Sequence, residues 1–202
     1  MKNIFKVLMI FVVLILFAQA AYAAVGCSLT DPDRDVKRIF PASTGYKTTF
    51  ITIKERGGEV LKKQIEEKFQ DKFEPVYESI EVPYAFYTVL KGKDAVGYIH
   101  GVNQKGKFGG MQLIVAIDLS GRIVSFYYQK MSSPEAGKFM DNKFTSKFNG
   151  LTLDDLMNGK FSISDPSVKS PEDFRATLRG LKKNMLLINT LLLAQKKGGE
   201  LK

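Results

Sequence analysis

A polar loop at residues 130–138, with the sequence KMSSPEAGK, has the residue types best suited to binding a ligand. Ser132, Ser133 and Gly137 follow a β-branched and aromatic stretch that is typical of a strand. Small and hydroxyl residues at the end of a strand leave hydroxyl and backbone N–H groups that can bind an anion or a flat polar ring. A surface loop without a special role is the alternative.

Nucleophilic catalysis and metal binding find little support in the sequence. His100 is the only histidine and lies within a predicted strand, and no G-x-S-x-G motif is present, so we expect a hydrogen-bonded strand histidine. Aspartates occupy every second position at 31–35 (DPDRD), as in a calcium loop, but the glycine and the distal glutamate of that motif are missing. Acidic pairs at 154–155 and 172–173 stand at predicted helix starts, where the helix dipole favours them. We therefore assign no catalytic residue and no metal site.

The charge and composition narrow the class of partner. The chain has 30 basic and 21 acidic residues and a net charge of +9, which favours anionic lipid, a phosphate-bearing ligand, an acidic protein or simply a solvated basic surface. Its lysines are spread along the chain, so nucleic acid is not expected, and Lys182 and Lys183 are expected on the solvated face of a helix. A single cysteine excludes an intramolecular disulfide framework.

Residues 1–26 have the features of a bacterial export signal. A basic start is followed by the apolar run 7–18, which is shorter than the roughly 20 residues needed to span a bilayer. Cleavage at 21–23 (AYA) would release a soluble protein, whereas 24–27 (AVGC) resembles a lipoprotein box and favours lipidation of Cys27. An uncleaved signal anchor is the third possibility. Each places the protein in the periplasm or on the outer face of a bacterial membrane, and we expect attachment to that membrane through the lipid or the signal anchor.

The pattern of elements predicts an α+β fold: a curved antiparallel sheet of about four to six strands with flanking helices and a long C-terminal helix. Residues 27–48 are interpreted as a polar tether and residues 49–202 as a single domain. Strands are predicted at 84–90, 95–103, 111–118 and 122–129, with a further strand-like stretch at 49–54. An amphipathic helix of about 14 residues is predicted around Val60, Leu61, Ile65 and Phe69, whose helical spacing places them in the core. Further helices are predicted at 151–157 and from Pro171 to about residue 197, where Gly198 and Gly199 end the pattern. The buried stripe of the last helix is predicted to be Leu178, Leu181, Met185, Ile188, Leu192 and Leu193.

Four short motifs occur in a characteristic order within this pattern. They are 97–101 (GYIHG), 117–123 (IDLSGRI), 129–137 (QKMSSPEAG) and 148–150 (FNG). Their order and spacing resemble the FMN-binding domain of the Rnf complex G subunit and the sodium-pumping quinone reductase C subunit. The resemblance covers residues 94–195, about half of the chain. It implies an extracytoplasmic FMN-binding domain that carries electrons to or from a redox protein partner, rather than an enzyme with its own substrate.

The resemblance also implies which residues contact the flavin. Residues 129–137 take the place of the family's E-T-P-G-L-G loop: Ser132 stands where the family has Glu, Ser133 stands for Thr, and Pro134 and Gly137 match. Lys138 follows this loop directly and is a candidate for holding the FMN phosphate.

The family's attachment motif is the main point of departure. In S-G-A-T the threonine carries FMN through a phosphodiester made by a flavin transferase, but residues 174–177 (FRAT) keep only Ala-Thr. We therefore favour non-covalent FMN over FMN attached to Thr177, with Arg175 as a second candidate for the phosphate. The alternative is a flavin-free lipoprotein that uses the same fold as a binding or assembly scaffold, because fold alone does not determine function.

Overall fold

The computed structural model describes residues 26–74 and 77–194. Five antiparallel strands form one open sheet in which chain order and spatial order agree. The strands are β1 (Gly45–Ile51), β2 (Tyr84–Lys91), β3 (Asp94–Lys105), β4 (Gly110–Ile117) and β5 (Ile123–Met131). The expected α+β class, the antiparallel pairing and the four strands predicted between residues 84 and 129 are confirmed. The first strand ends at Ile51, earlier than expected, because Thr52 and Glu55 form a capping box that starts a helix.

Helices flank this sheet, and the longest one follows the last strand. They are α1 (Pro32–Ile39), α2 (Ile53–Arg56), α3 (Gly58–Phe69), α4 (Ala136–Met140), α5 (Asn142–Thr145), a 3₁₀ turn (Ser146–Phe148), α6 (Leu153–Met157) and α7 (Pro171–Leu187). A π-helical segment (Ile188–Leu193) continues α7. The predicted long C-terminal helix is confirmed over these residues.

The larger hydrophobic core lies between α7 and the central strands β3 and β4. Leu181 and Met185 of α7 are buried, as are Ile188 and Leu192 of the π-helical segment, in agreement with the stripe that the helical spacing predicts. In α3, the residues Ile65 and Phe69 face the same core, but Val60 is 68% exposed, so its predicted core position is wrong.

A second, smaller core covers the opposite face of the sheet. Cys27, Leu29 and Val36 are buried there against sheet residues that include Ile99 and Ile114. The segment 27–48, which was expected to be a tether, therefore packs on the sheet and contains α1. Its DPDRD sequence starts that helix because Asp31 accepts a hydrogen bond from the backbone of Arg34 and a proline occupies the first turn.

The described chain begins where β2 separates from β3. The β2–β3 pairing extends only to Phe86 and His100, and Cys27 pairs with the next β3 residue, Gly101. A Cβ atom at position 101 would lie 2.8 Å from the Cys27 sulfur, so only glycine permits this approach. Gly26 lies against the carbonyl oxygen of Pro83, immediately before β2.

Residues 1–25 of the predicted export signal lie outside the described part of the chain, and so does the predicted helix stop at positions 198 and 199. Within residues 26–74 and 77–194, no helix is both long enough and apolar enough to cross a membrane.

Candidate functional site

The loop that resembles the family's flavin loop leaves β5 beside the β3–β4 turn. The backbone N–H of Ser132 donates to the carbonyl of Gly110 at 3.2 Å. Gly109 has φ +137°, and a Cβ atom there would lie 3.0 Å from the Cβ of Ser132, so this close approach requires glycine. Ser133 accepts a hydrogen bond from the backbone of Glu135 at 3.2 Å, which forms a local turn. The Ser133 hydroxyl is therefore engaged in shaping the loop.

The second half of this loop docks onto residues 164–170. Glu135 forms an ion pair with Lys138 and accepts a hydrogen bond from the Ser167 hydroxyl at 2.9 Å. The Lys138 ammonium, together with Ser167, holds the pKa of Glu135 below its ordinary value. Gly137 lies in α4 with open space where a Cβ atom would be, so packing alone does not require glycine there. Pro134 joins the Ser133 turn to Glu135.

Thr177 lies in α7 and is 0% exposed. Its hydroxyl donates to the carbonyl of Asp173, four residues earlier, at 2.8 Å. Its oxygen also lies 2.7 Å from the hydroxyl of Tyr128, which must be the donor because the Thr177 proton is already engaged. Burial raises the pKa of Tyr128 above its ordinary value. The Thr177 hydroxyl is thus a buried link between α7 and β5.

The start of α7 is tied to the β3–β4 turn. Asp173 is buried, and its Oδ1 accepts a hydrogen bond from the backbone of Lys107 at 2.8 Å. The other oxygen, Oδ2, has no hydrogen-bond partner among the described residues. At the surface, the Lys107 ammonium lies 3.3 Å from Glu172, and Arg175 lies 3.9 Å from the same carboxylate. Arg175 is therefore an exposed residue that shares one acidic neighbour with Lys107.

The candidate phosphate-binding residues Lys138 and Arg175 line different grooves. The groove at Lys138 has a volume of about 270 Å³, and its remaining lining residues are Asp141, Lys143, Phe144, Lys147 and Pro166. Arg175 lines two others, one of them beside Phe69 and Arg179 and the other beside Lys107 and Glu172. The seven residues predicted to contact FMN lie near one end of the sheet. Thr177, however, lines neither the groove at Lys138 nor the two grooves at Arg175.

A buried ionic network in the main core was not found from the sequence. Lys183 is buried and contacts Glu78, and its ammonium donates to the carbonyl of Asn103 at 2.7 Å. Arg179 donates to Glu78 at 2.7 Å and to Asp71 at 2.6 Å. Burial alone would raise the pKa of Glu78, but its Arg179 and Lys183 partners outweigh burial and lower it. The expectation that Lys183 is solvated is wrong because a distant carboxylate pairs with it inside the core.

His100 has the structural role that its position in a strand suggested. Its ring is fully buried, stacks on Phe86 at 4.2 Å, and contacts the carbonyl of Ala85 through Nδ1 at 2.9 Å. Its Nε2 has no hydrogen-bond partner among the described residues, so no described serine is paired with it. Burial lowers the pKa of His100 to about 4, and the charge of Lys183 adds to that shift, while the bond to Ala85 opposes it.

Cys27, the predicted lipidation site, is buried in the second core. Its sulfur lies near Gly101 and Ile114. Burial raises the pKa of the thiol to about 12. Among residues 26–74 and 77–194, no group of three or more acidic, histidine or cysteine side chains is placed to hold a metal ion. No protein-family model and no curated protein matches this sequence.

Proposed function

We propose that this chain is an exported, membrane-associated domain that acts as a binding or assembly scaffold and carries no flavin on Thr177. The observation that supports this most is the state of the Thr177 hydroxyl, which is buried and hydrogen-bonded on both sides. A phosphodiester would replace its proton and remove the bond to Asp173. It would also bring a charged phosphate into a buried site, which is costly without new partners.

The loop that resembles the flavin loop supports the same function. The Ser133 hydroxyl accepts a hydrogen bond from the backbone of Glu135 within the same turn, and the Glu135 carboxylate contacts Ser167 and Lys138. Gly109 is accounted for by the approach of Ser132. Ser133 and Glu135 thus have structural roles that need no cofactor, as a scaffold with this fold would require.

Non-covalent FMN is the second candidate, and the groove at Lys138 favours it. Lys138, Lys143 and Lys147 line one concave surface, together with the single acidic residue Asp141. Lysine ammonium groups can hold a phosphate as point charges. In that case the flavin would supply the electron-transfer chemistry, and a redox protein would be the partner.

An absorbance spectrum separates the two candidates. The protein is purified from the envelope of the organism that makes it, and the spectrum is recorded before and after acid precipitation. A colourless protein that does not take up added FMN is the expected result for the scaffold. Flavin absorbance released into the supernatant would favour non-covalent FMN. Flavin that remains with the precipitate would contradict the proposed role of Thr177.

A further inference from the structure

The only cysteine of the chain lies at the start of a segment that is docked on the sheet. Cys27 pairs with Gly101 of β3, and two residues later the backbone N–H of Leu29 donates to the hydroxyl of Tyr87 in β2 at 3.1 Å. Both Cys27 and Leu29 are buried in the second core. No free length of chain therefore separates Cys27 from the folded domain.

A side chain of β5 holds the backbone of the same segment. The amide of Gln129 donates through Nε2 to the carbonyl of Ser28 at 2.9 Å, and its Oε1 accepts from the backbone N–H of Thr30 at 2.8 Å. One amide group thus pairs with a donor and an acceptor of the segment. Residues 27–30 are therefore bonded to three different strands: β2, β3 and β5.

The sulfur of Cys27 occupies space that a glycine leaves open. Cys27 is 2% exposed, and a Cβ atom at position 101 would lie 2.8 Å from the sulfur and 2.7 Å from a methyl group of Ile114. Cysteine acts here as a small apolar side chain that fills a close-packed site. A glyceryl group bonded to the sulfur would require the space that Gly101 and Ile114 enclose.

Lipidation and docking of Cys27 are therefore mutually exclusive. Acyl chains on the sulfur must reach a bilayer, so the sulfur would have to leave the core with them. Leu29 would follow, because two residues span at most about 7 Å, and the bonds to Tyr87 and Gln129 would be lost. Cleavage before Cys27 would also remove Gly26, which is packed against the sheet.

We propose that Cys27 is an unmodified core residue of the mature protein and that the peptide bond between Gly26 and Cys27 stays intact. Attachment to a membrane then depends on the predicted export signal and not on a lipid. This proposal rests on the export proposed above, but it is independent of flavin.

Intact mass spectrometry of the full-length gene product, expressed in its own host, is the direct test. We expect an N-terminus upstream of Cys27 and a single thiol that can be alkylated in denaturant. Labelled palmitate should enter neither the parent nor a Cys27→Ala variant, which is the matched control. An N-terminal Cys27 carrying diacylglycerol, with label that disappears in Cys27→Ala, would overturn the proposal.

The packing of the sulfur can be tested through its glycine partner. Gly101→Ala should lower the urea unfolding midpoint of the parent, and the loss should be smaller in a Cys27→Ala background because the sulfur is then absent. Equal losses in the two backgrounds would contradict the docked position of Cys27.

Thiol reactivity gives a second readout that does not require Gly101→Ala to fold. The exposed control is Val168→Cys in a Cys27→Ala background, because Val168 is 91% exposed. Native Cys27 should react with a maleimide at least about tenfold more slowly than this control. Equal rates would overturn the proposal.

Fractionation of the host cells reports separately on the proposed function. A free Cys27 thiol in a protein found only in the soluble fraction would support this inference and contradict the membrane association proposed above. Lipid on Cys27 in a membrane-bound protein would do the reverse.

Discussion

Removing the Thr177 hydroxyl tests whether this residue is a structural link. Thr177→Val keeps the shape and β-branching of the side chain but removes both of its hydrogen bonds. The Asp173 carbonyl can still accept its backbone hydrogen bond within the helix, whereas the Tyr128 hydroxyl is left buried without its partner. An unpartnered buried polar group costs about 1–3 kcal/mol, so we expect the free energy of unfolding to fall by about 2 kcal/mol.

A double-mutant cycle assigns this loss to the pair. Tyr128→Phe alone should cost about 1 kcal/mol, because it removes one neutral hydrogen bond. In the double variant no unpartnered phenol remains, so the combined loss should be smaller than the sum by about 1 kcal/mol. Thr177→Ser, which keeps the hydroxyl, is the matched control and should lose less stability than Thr177→Val.

Urea unfolding followed by far-UV circular dichroism is the assay. With an m-value of about 2–3 kcal/mol per molar urea, a loss of 2 kcal/mol lowers the midpoint by roughly 0.7–1 M. Additive losses within error, or a Thr177→Val variant as stable as the parent, would refute the reasoning. Either result would mean that the Thr177 hydroxyl is available for another role.

Three other predictions concern buried ionisable groups. Because the pKa of His100 is lowered to about 4, the folded state binds fewer protons than the unfolded state below pH 6.5. The free energy of unfolding should therefore fall by up to about 1.4 kcal/mol per pH unit from pH 6.5 towards 5. Urea unfolding of a His100→Phe variant should lack this slope. Glu78→Gln leaves the Lys183 ammonium buried without a carboxylate and should cost about 3–5 kcal/mol in urea unfolding, whereas adding Lys183→Met should recover part of the loss. The Cys27 thiol should react with a maleimide only after unfolding, since it is buried and its pKa is about 12; a thiol that stays unreactive in denaturant would indicate lipidation.

The strands and the long helix could be predicted because their local patterns agree with the final packing. Strand residues at 84–90 and 111–118 are β-branched and aromatic, and short turns require antiparallel neighbours. Ser170, Pro171 and the acids that follow mark the start of α7, although Ser170 makes no capping hydrogen bond through its side chain. These signals depend on residues that are close in sequence.

The role of residues 27–48 could not be read from their composition, which resembles a linker. The evidence for a second core lay elsewhere, in β4, where residues 113–117 (LIVAI) form a continuous apolar run. Such a run indicates a strand that is buried on both faces, so a cover for the second face was required. Cys27, Leu29 and Val36 provide that cover.

Lys183 and Thr177 show why site chemistry was harder to predict than the fold. A lysine on a helix is normally solvated, and only the long-range approach of Glu78 makes its burial tolerable. Thr177 is the second residue of an Ala-Thr pair like that of the motif the sequence resembles, but its partner Tyr128 lies 49 residues away in sequence. Contacts at such separations carry no local sequence pattern.

Peptide mass spectrometry of Thr177 tests most directly whether the domain is free of covalent flavin. Trypsin cleaves after Arg175 and Arg179, so residues 176–179 (ATLR) form a single peptide. The protein is taken from the envelope of its own host, where any flavin transferase would have acted on it. We predict that this peptide carries no added mass. A peptide heavier by an esterified FMN would contradict the structural role assigned to Thr177 and would identify the chain as a flavoprotein.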